Sequence, residues 1–211
     1  MDKNAELKKL AEEMAGDASL PLGEANLVFG EGSPDCQVLF IGEAPGMNED
    51  REKRPFVGRA GQLLRKHIRA LGWREEDVYI TNIVKRRPPE NRDPSPEEIE
   101  SYKPYLARQI ETISPKIIVP LGRFSMNYFL PVAKITRDQG KLFKSGNYFI
   151  LPMLHPAAAL RGTTAMNMFA ETFSKLPQAL KKASDENFTE PAELTPSLKQ
   201  KKPEDVQSKL F

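Results

Sequence analysis

The stretch "CQVLFIGEAPG" (residues 36–46) passes without transition from an apolar run into glycine, glutamate and proline. A run of this length, apolar on consecutive positions, reads as a strand buried on both faces, and Gly42 ends it. Three more runs of strand length follow: "DVYITN" (77–82), "KIIVPLG" (116–122) and "YFILPML" (148–154). Segments of helical spacing lie between them. Leu63, Leu64, Ile68 and Leu71 recur in "GRAGQLLRKHIRALG", and Ile99, Tyr102, Leu106, Ile110 and Ile113 in "SPEEIESYKPYLARQIETI". The second segment opens with Ser95, Pro96, Glu97 and Glu98, a helix-start signature, and Pro104 is expected to disturb it. Another amphipathic helix is expected over about 165–183. Strands alternating with helices imply a parallel sheet covered on both faces.

At 211 residues the chain has room for one domain, or one domain and a tail. The domain is expected over 1–183. From 184 to 211 the composition turns to Pro, Glu and Lys, as in a flexible C-terminal tail. No apolar run is long enough to span a bilayer. The opening "MDKNAELKKLAEEMAG" reads as an amphipathic helix rather than a secretory leader, so a cytoplasmic location is expected. Cys36 is the one cysteine, which excludes an intrachain disulfide and any zinc or iron–sulfur site built on several cysteines. It reads as a small core residue. The net charge of +2 is mild, but residues 51–92 hold twelve Lys and Arg against five Asp and Glu. Such a cluster is either a solvated face or a footprint for an anionic partner.

Each expected strand ends in something polar or conformationally special: Gly42 and Glu43, Thr81 and Asn82, Gly122 and Arg123, His155 and Pro156. Ligands of open parallel sheets bind at the carboxyl ends of the strands, so Glu43, Asn82 and His155 are expected to converge. Taken singly, an asparagine there is a turn residue and a histidine before proline a loop residue. Taken together, an amide matches the donor–acceptor edge of a nucleobase, an imidazole steadies an anionic leaving group, and a carboxylate orients water or faces a developing cation. The loop "MNEDREKRPFVGRAGQ" adds Phe56 between Arg54 and Arg59. It is placed either to stack on a base or to staple the following helix.

The three motifs "GEAPG…ED…RPFVG.AG", "TN.VK.RPP.NRDP.PEEI" and "HPAAALR", in this order and spacing, resemble the family 4 uracil-DNA glycosylases over about residues 20–180. The resemblance implies a three-layer α/β/α sandwich with a central four-stranded parallel sheet. It implies hydrolysis of the bond joining uracil to deoxyribose in DNA, leaving an abasic site that starts base excision repair. Phe56 would stack on the flipped uracil and Asn82 bond its Watson–Crick edge, with backbone amides around Gly42 adding contacts. His155 would hold uracil O2 and the departing uracilate, while Glu43 would support the water or the sugar's positive charge. The segment "PAAALR" would be the family's minor-groove loop, with Leu160 or Arg161 near the space the base vacates. Arg87, Arg92, Arg161 and the basic stretch would hold phosphates.

That family usually carries a [4Fe–4S] cluster on four cysteines. Here the third and fourth positions are Arg86 and Tyr102, and residues 14–22 contain no cysteine. The expectation is therefore an enzyme without a metal or other cofactor. Arg86 is expected to stack on Tyr102, with the leucines near 20–27, where the cluster would be. The terminal "QSKLF" resembles a shortened sliding-clamp-binding motif through Gln207, Leu210 and Phe211. The resulting expectation is a monomeric uracil-DNA glycosylase. The alternative is a catalytically inactive uracil-DNA binding protein of the same fold. Covalent trapping of the sugar would need an inserted histidine near the second motif, and His67 and His155 are the two histidines present. A nucleotide hydrolase would need a phosphate loop such as GxxxxGK[ST], which is missing.

Overall fold

The computed structural model describes residues 2–185. Apart from Ser184 and Asp185, the expected tail and its clamp-like Gln207, Leu210 and Phe211 lie outside the described residues. The elements in chain order are α1 (Lys3–Gly16), β1 (Glu31–Gly32), β2 (Val38–Gly42), α2 (Met47–Glu52), α3 (Arg59–Ala70), β3 (Tyr79–Asn82), α4 (Pro96–Ile113) and β4 (Ile117–Pro120). They continue with α5 (Gly122–Phe129), α6 (Ile135–Asp138), β5 (Phe143–Ser145), β6 (Tyr148–Ile150), α7 (Pro156–Ala159), α8 (Thr163–Ser174) and α9 (Leu176–Ala183).

Among the described residues six strands form one sheet, in the order β1-β3-β2-β4-β6-β5. The four strands expected from the apolar runs are its parallel centre, with β2 pairing β3 through Gly42↔Asn82 and β4 through Ile41↔Pro120. Two short strands, β1 and β5, extend that centre antiparallel at its edges. The chain leaves β2 toward β3 and later crosses to β4 on the other side. The topological switch, and the crevice it opens, therefore fall at the carboxyl ends of β2 and β4.

The sandwich follows from the period-two pleat of β2. Val38 and Phe40 face one core with Leu64 and Ile68 of α3 and Phe169 and Phe173 of α8. Leu39 and Ile41 face the other with Leu7 and Met14 of α1 and Tyr102, Leu106 and Ile113 of α4. Each such side chain removed from water contributes roughly 1.5–3 kcal/mol before conformational entropy is set against it.

The helix α4 starts as its sequence suggests. Ser95 Oγ accepts the Glu98 amide at 3.2 Å while the Glu98 carboxylate accepts the Ser95 amide at 2.8 Å. Pro104 does not interrupt it. The proline lies on the exposed face, where the carbonyl deprived of its partner can turn to water. The single helix expected over 165–183 is instead two, α8 and α9, because Pro177 fits the first turn of a new helix better than the interior of an old one.

Candidate active site

The carboxyl ends of the four parallel strands open into a cavity of about 630 Å³. Glu43, Phe56, Asn82, His155 and Arg161 line it, together with Glu49, Asp93 and Arg123. Residues from 43 to 161 thus meet in one place because parallel connections return every strand end to the same edge.

Gly42 is not itself in the lining, but Asn82 and Phe56, which are, approach it closely because it has no side chain. A Cβ there would stand 2.4 Å from Asn82 Oδ1 and 2.5 Å from Phe56 Cζ, so the amide and the aromatic ring approach the backbone at van der Waals distance. Asn82 is buried at the end of β3, its register set by pairing with Gly42.

Phe56 is buried with its backbone at φ 53°, in the left-handed region. For a bulky residue this costs on the order of 1–3 kcal/mol, and it persists only where neighbours enforce it. They do so from three sides. Glu49 Oε1 accepts the amides of Val57 at 2.9 Å and Gly58 at 2.7 Å. Gly61 of α3 lets the Phe56 carbonyl lie on the helix, since a Cβ there would fall 1.9 Å from that oxygen. Arg65 Nε donates to the same carbonyl at 3.0 Å. The resulting ring stands 5.9 Å, centroid to centroid, from that of His155 and tilted by 32°.

His155 is the N-cap of α7, and its Nδ1 accepts the Ala157 amide at 3.1 Å. An acceptor at Nδ1 leaves the proton of the neutral ring on Nε2. Burial, and secondarily the Arg161 charge, push the pKa down to about 4, against the opposing pull of Glu49. At neutral pH the ring is therefore an uncharged donor. Glu43 is shifted the other way, up to about 7, by burial and by repulsion from Asp93, with Arg123 opposing. Arg123 Nη2 holds Asp93 Oδ2 at 2.9 Å and its guanidinium lies 4.4 Å from the centre of the Phe124 ring. A carboxyl titrating near 7 beside a neutral imidazole is the divergence expected of an acid–base site.

The model of the uracil DNA glycosylase superfamily matches residues 29–181. The chain is 44% identical to the type-4 uracil-DNA glycosylase of Sulfurisphaera tokodaii, over 81% of this chain and 83% of that protein. It is 46% identical to the type-4 enzyme of Saccharolobus solfataricus, over 74% and 76% respectively, and 46% identical to that of Thermotoga maritima, over 67% and 76%. The chain belongs to the uracil-DNA glycosylase superfamily, in its type-4 branch.

The four-cysteine cluster of that branch does not fit this member. Arg86 and Tyr102 stand where the resemblance puts two of its cysteines. Arg86 Nη1 donates to the Ala25 carbonyl at 2.5 Å and to that of Gly23 at 3.4 Å, and the Tyr102 hydroxyl donates to the Pro21 carbonyl at 2.7 Å. Burial pushes the Tyr102 hydroxyl up to about 12, against the pull of the adjacent Arg86 charge. Instead of the expected stacking, both residues tie segment 21–25 to the domain by hydrogen bonds to its carbonyls, and Arg86 Nε is buried without a partner. Leu20, Leu22 and Leu27 pack on the same core. Among the described residues no group of three or more His, Cys, Asp or Glu could hold a metal ion.

The other residues expected at the DNA sit outside the cavity lining. Leu160 is exposed at the C-terminus of α7, next to Arg161 on the rim. Arg87 Nε donates to Asn91 Oδ1 at 2.7 Å, and Arg92 grips Glu98 with both terminal nitrogens at 2.9 and 2.6 Å. The basic surplus of 51–92 is answered in part from outside that window. Glu31 takes Arg54 and Arg65, Glu98 takes Arg92, and Lys85 is buried. Sequence reasoning missed Glu49, Asp93, Arg123 and Arg65 as parts of the site. Glu49 stood in the quoted "ED", Asp93 in "NRDP" and Arg123 at a strand end, while nothing in its sequence neighbourhood distinguishes Arg65.

Proposed function

We propose that this type-4 family member is a uracil-DNA glycosylase, which flips uracil out of DNA and hydrolyses its N-glycosidic bond. The observation that carries the reading is the meeting of Glu43, Phe56, Asn82 and His155 in one cavity at the carboxyl edge of the sheet. The flipped base stacks on Phe56 and presents its edge to the Asn82 amide. The N–H of His155 Nε2 donates to uracil O2, where negative charge gathers as the bond from C1′ to N1 breaks. A neutral donor is sufficient because it strengthens its bond as the oxygen becomes anionic, without being protonated in the ground state. Ionised Glu43 takes the proton of the attacking water or balances the positive charge on the sugar. Water adds hydroxide to C1′ and a proton to the departing base. Leu160 and Arg161, beside the cavity, occupy the gap in the duplex and so lower the cost of extrusion.

The test is single-turnover release of uracil from a labelled oligonucleotide, read as strand breakage after alkali, by the wild type, His155→Ala and Asn82→Ala. Cleavage by the wild type with losses on the order of 100-fold or more in both variants is expected. Intact binding of uracil-containing DNA without any cleavage would replace the enzyme with a binding protein of the same fold.

A further inference from the structure

We propose that Arg65, outside the cavity, is a positioning residue that holds Phe56 in its base-stacking pose. This rests on the stacking role given to Phe56 above. Arg65 lies one turn beyond Gly61 on α3 and is 9% exposed. Its Nε donates to the Phe56 carbonyl at 3.0 Å and its Nη2 to the Pro55 carbonyl at 2.8 Å. Its Nη1 pairs with Glu75 at 2.6 Å, and Nη2 also pairs with Glu31. Those two carboxylates are themselves held, Glu31 by Arg54 at 2.7 Å and Glu75 by Arg69. The charges thus alternate, Arg54–Glu31–Arg65–Glu75–Arg69, with the central guanidinium bonded to the backbone at the point where φ turns positive.

A planar fork with five donors can satisfy two carbonyls and two carboxylates at once, and an ammonium on a flexible stem cannot. Besides Arg65, the Glu49 bonds to the following amides, the close approach to Gly61 and the packing of the ring in the core hold the left-handed backbone of Phe56 against relaxation. Relaxation of that turn would swing the ring away from Gly42 and Asn82. Misplacement by about 1 Å of a group that orients the reacting molecule costs on the order of 100-fold in rate.

The experiment measures the single-turnover rate of uracil release at saturating protein, and DNA affinity separately, for Arg65→Met, Arg65→Lys and Glu31→Gln. Each is made alone and combined with Phe56→Ala. The expected result is a rate loss of roughly 10–100-fold for Arg65→Met, less for Arg65→Lys and Glu31→Gln, with affinity for DNA little changed. In the Phe56→Ala background none of the three should lower the rate further. Thermal unfolding identifies a variant that fails to fold, and Glu31→Gln, outside the cavity lining and partly exposed, keeps the test open in that case. Equal losses with and without Phe56 would show that Arg65 supports the fold and not the ring, and overturn the proposal. A loss in Phe56→Ala with none in the Arg65 variants overturns the clamp alone. No loss in Phe56→Ala overturns the stacking role of Phe56, and the clamp with it.

Discussion

The rate of uracil release should fall about tenfold per pH unit below pH 7, because the reaction needs Glu43 ionised and Glu43 titrates at about 7. Both roles open to Glu43, accepting a proton from water and balancing charge on the sugar, require the carboxylate. At pH 8 it is about nine-tenths ionised, at pH 6 about one-tenth and at pH 5 about one-hundredth, so the rate at pH 5 lies on the order of 100-fold below the plateau. His155 does not confuse this range. Its pKa of about 4 leaves it neutral through pH 5. Asp93 supplies the internal control. Its negative charge disfavours a second one on Glu43, so Asp93→Asn makes Glu43 easier to ionise and moves the limb to lower pH. The assay is single-turnover release with protein in excess at constant ionic strength, since DNA binding varies steeply with salt. A rate flat from pH 5 to 8, or a limb in Asp93→Asn that stays in place or moves upward, would refute the assignment.

Gly42→Ala should damage folding and chemistry together, because the added carbon meets both Asn82 and Phe56 under 3 Å. Overpacking of this kind costs about 1–3 kcal/mol, a fall in Tm of roughly 2–12 °C, with a rate loss on the order of 100-fold from the displaced base contacts. A protein of unchanged Tm and rate would mean that Asn82 and Phe56 give way without cost. Lys85→Met should flatten the dependence of stability on pH. Burial holds the Lys85 amine well below its ordinary pKa while Thr81 Oγ1 and Gln109 Oε1 each accept from it at 2.5 Å. The unfolded chain therefore binds a proton that the folded one does not, and wild-type stability rises with pH until the unfolded lysine titrates near about 10.4. Denaturant midpoints of both proteins at pH 7 and 9.5 check this, and an equal slope in the two would remove Lys85 as the source.

What was legible in the sequence is what depends on local pattern. β2, β3, β4 and β6 each fall inside an apolar run because a strand buried on both faces has no polar position to obscure it. The edge strands were silent. β1 has two residues, one of them Gly32, whose missing Cβ lets it lie against Val78 and Tyr79, so its pairing is specified by its partner. The same division runs through the site. Glu43, Asn82 and His155 could be placed together because a strand end marks its own position, whereas Asp93 lies outside the strands and reaches the cavity only in the fold, where it pairs with Arg123.

Arg65 is the sharpest case. Counted by sequence window it belonged to a basic surface, since Glu31, 34 residues away, fell outside the count. Charge counting over a window measures how many cations are near in sequence, and a fold is free to neutralise them from elsewhere. Arg86 makes the same point in the other direction. It stands where the resemblance puts a cluster cysteine, and the sequence alone reads as the loss of a staple. The structure gives both residues a tie of another kind. A guanidinium and a phenol reach the carbonyls of 21, 23 and 25 and hold that segment to the domain. That replacement joins segment 21–25 to α4, and neither Arg86, Tyr102 nor any residue from Pro21 to Ala25 is among those that line the cavity of Glu43 and His155.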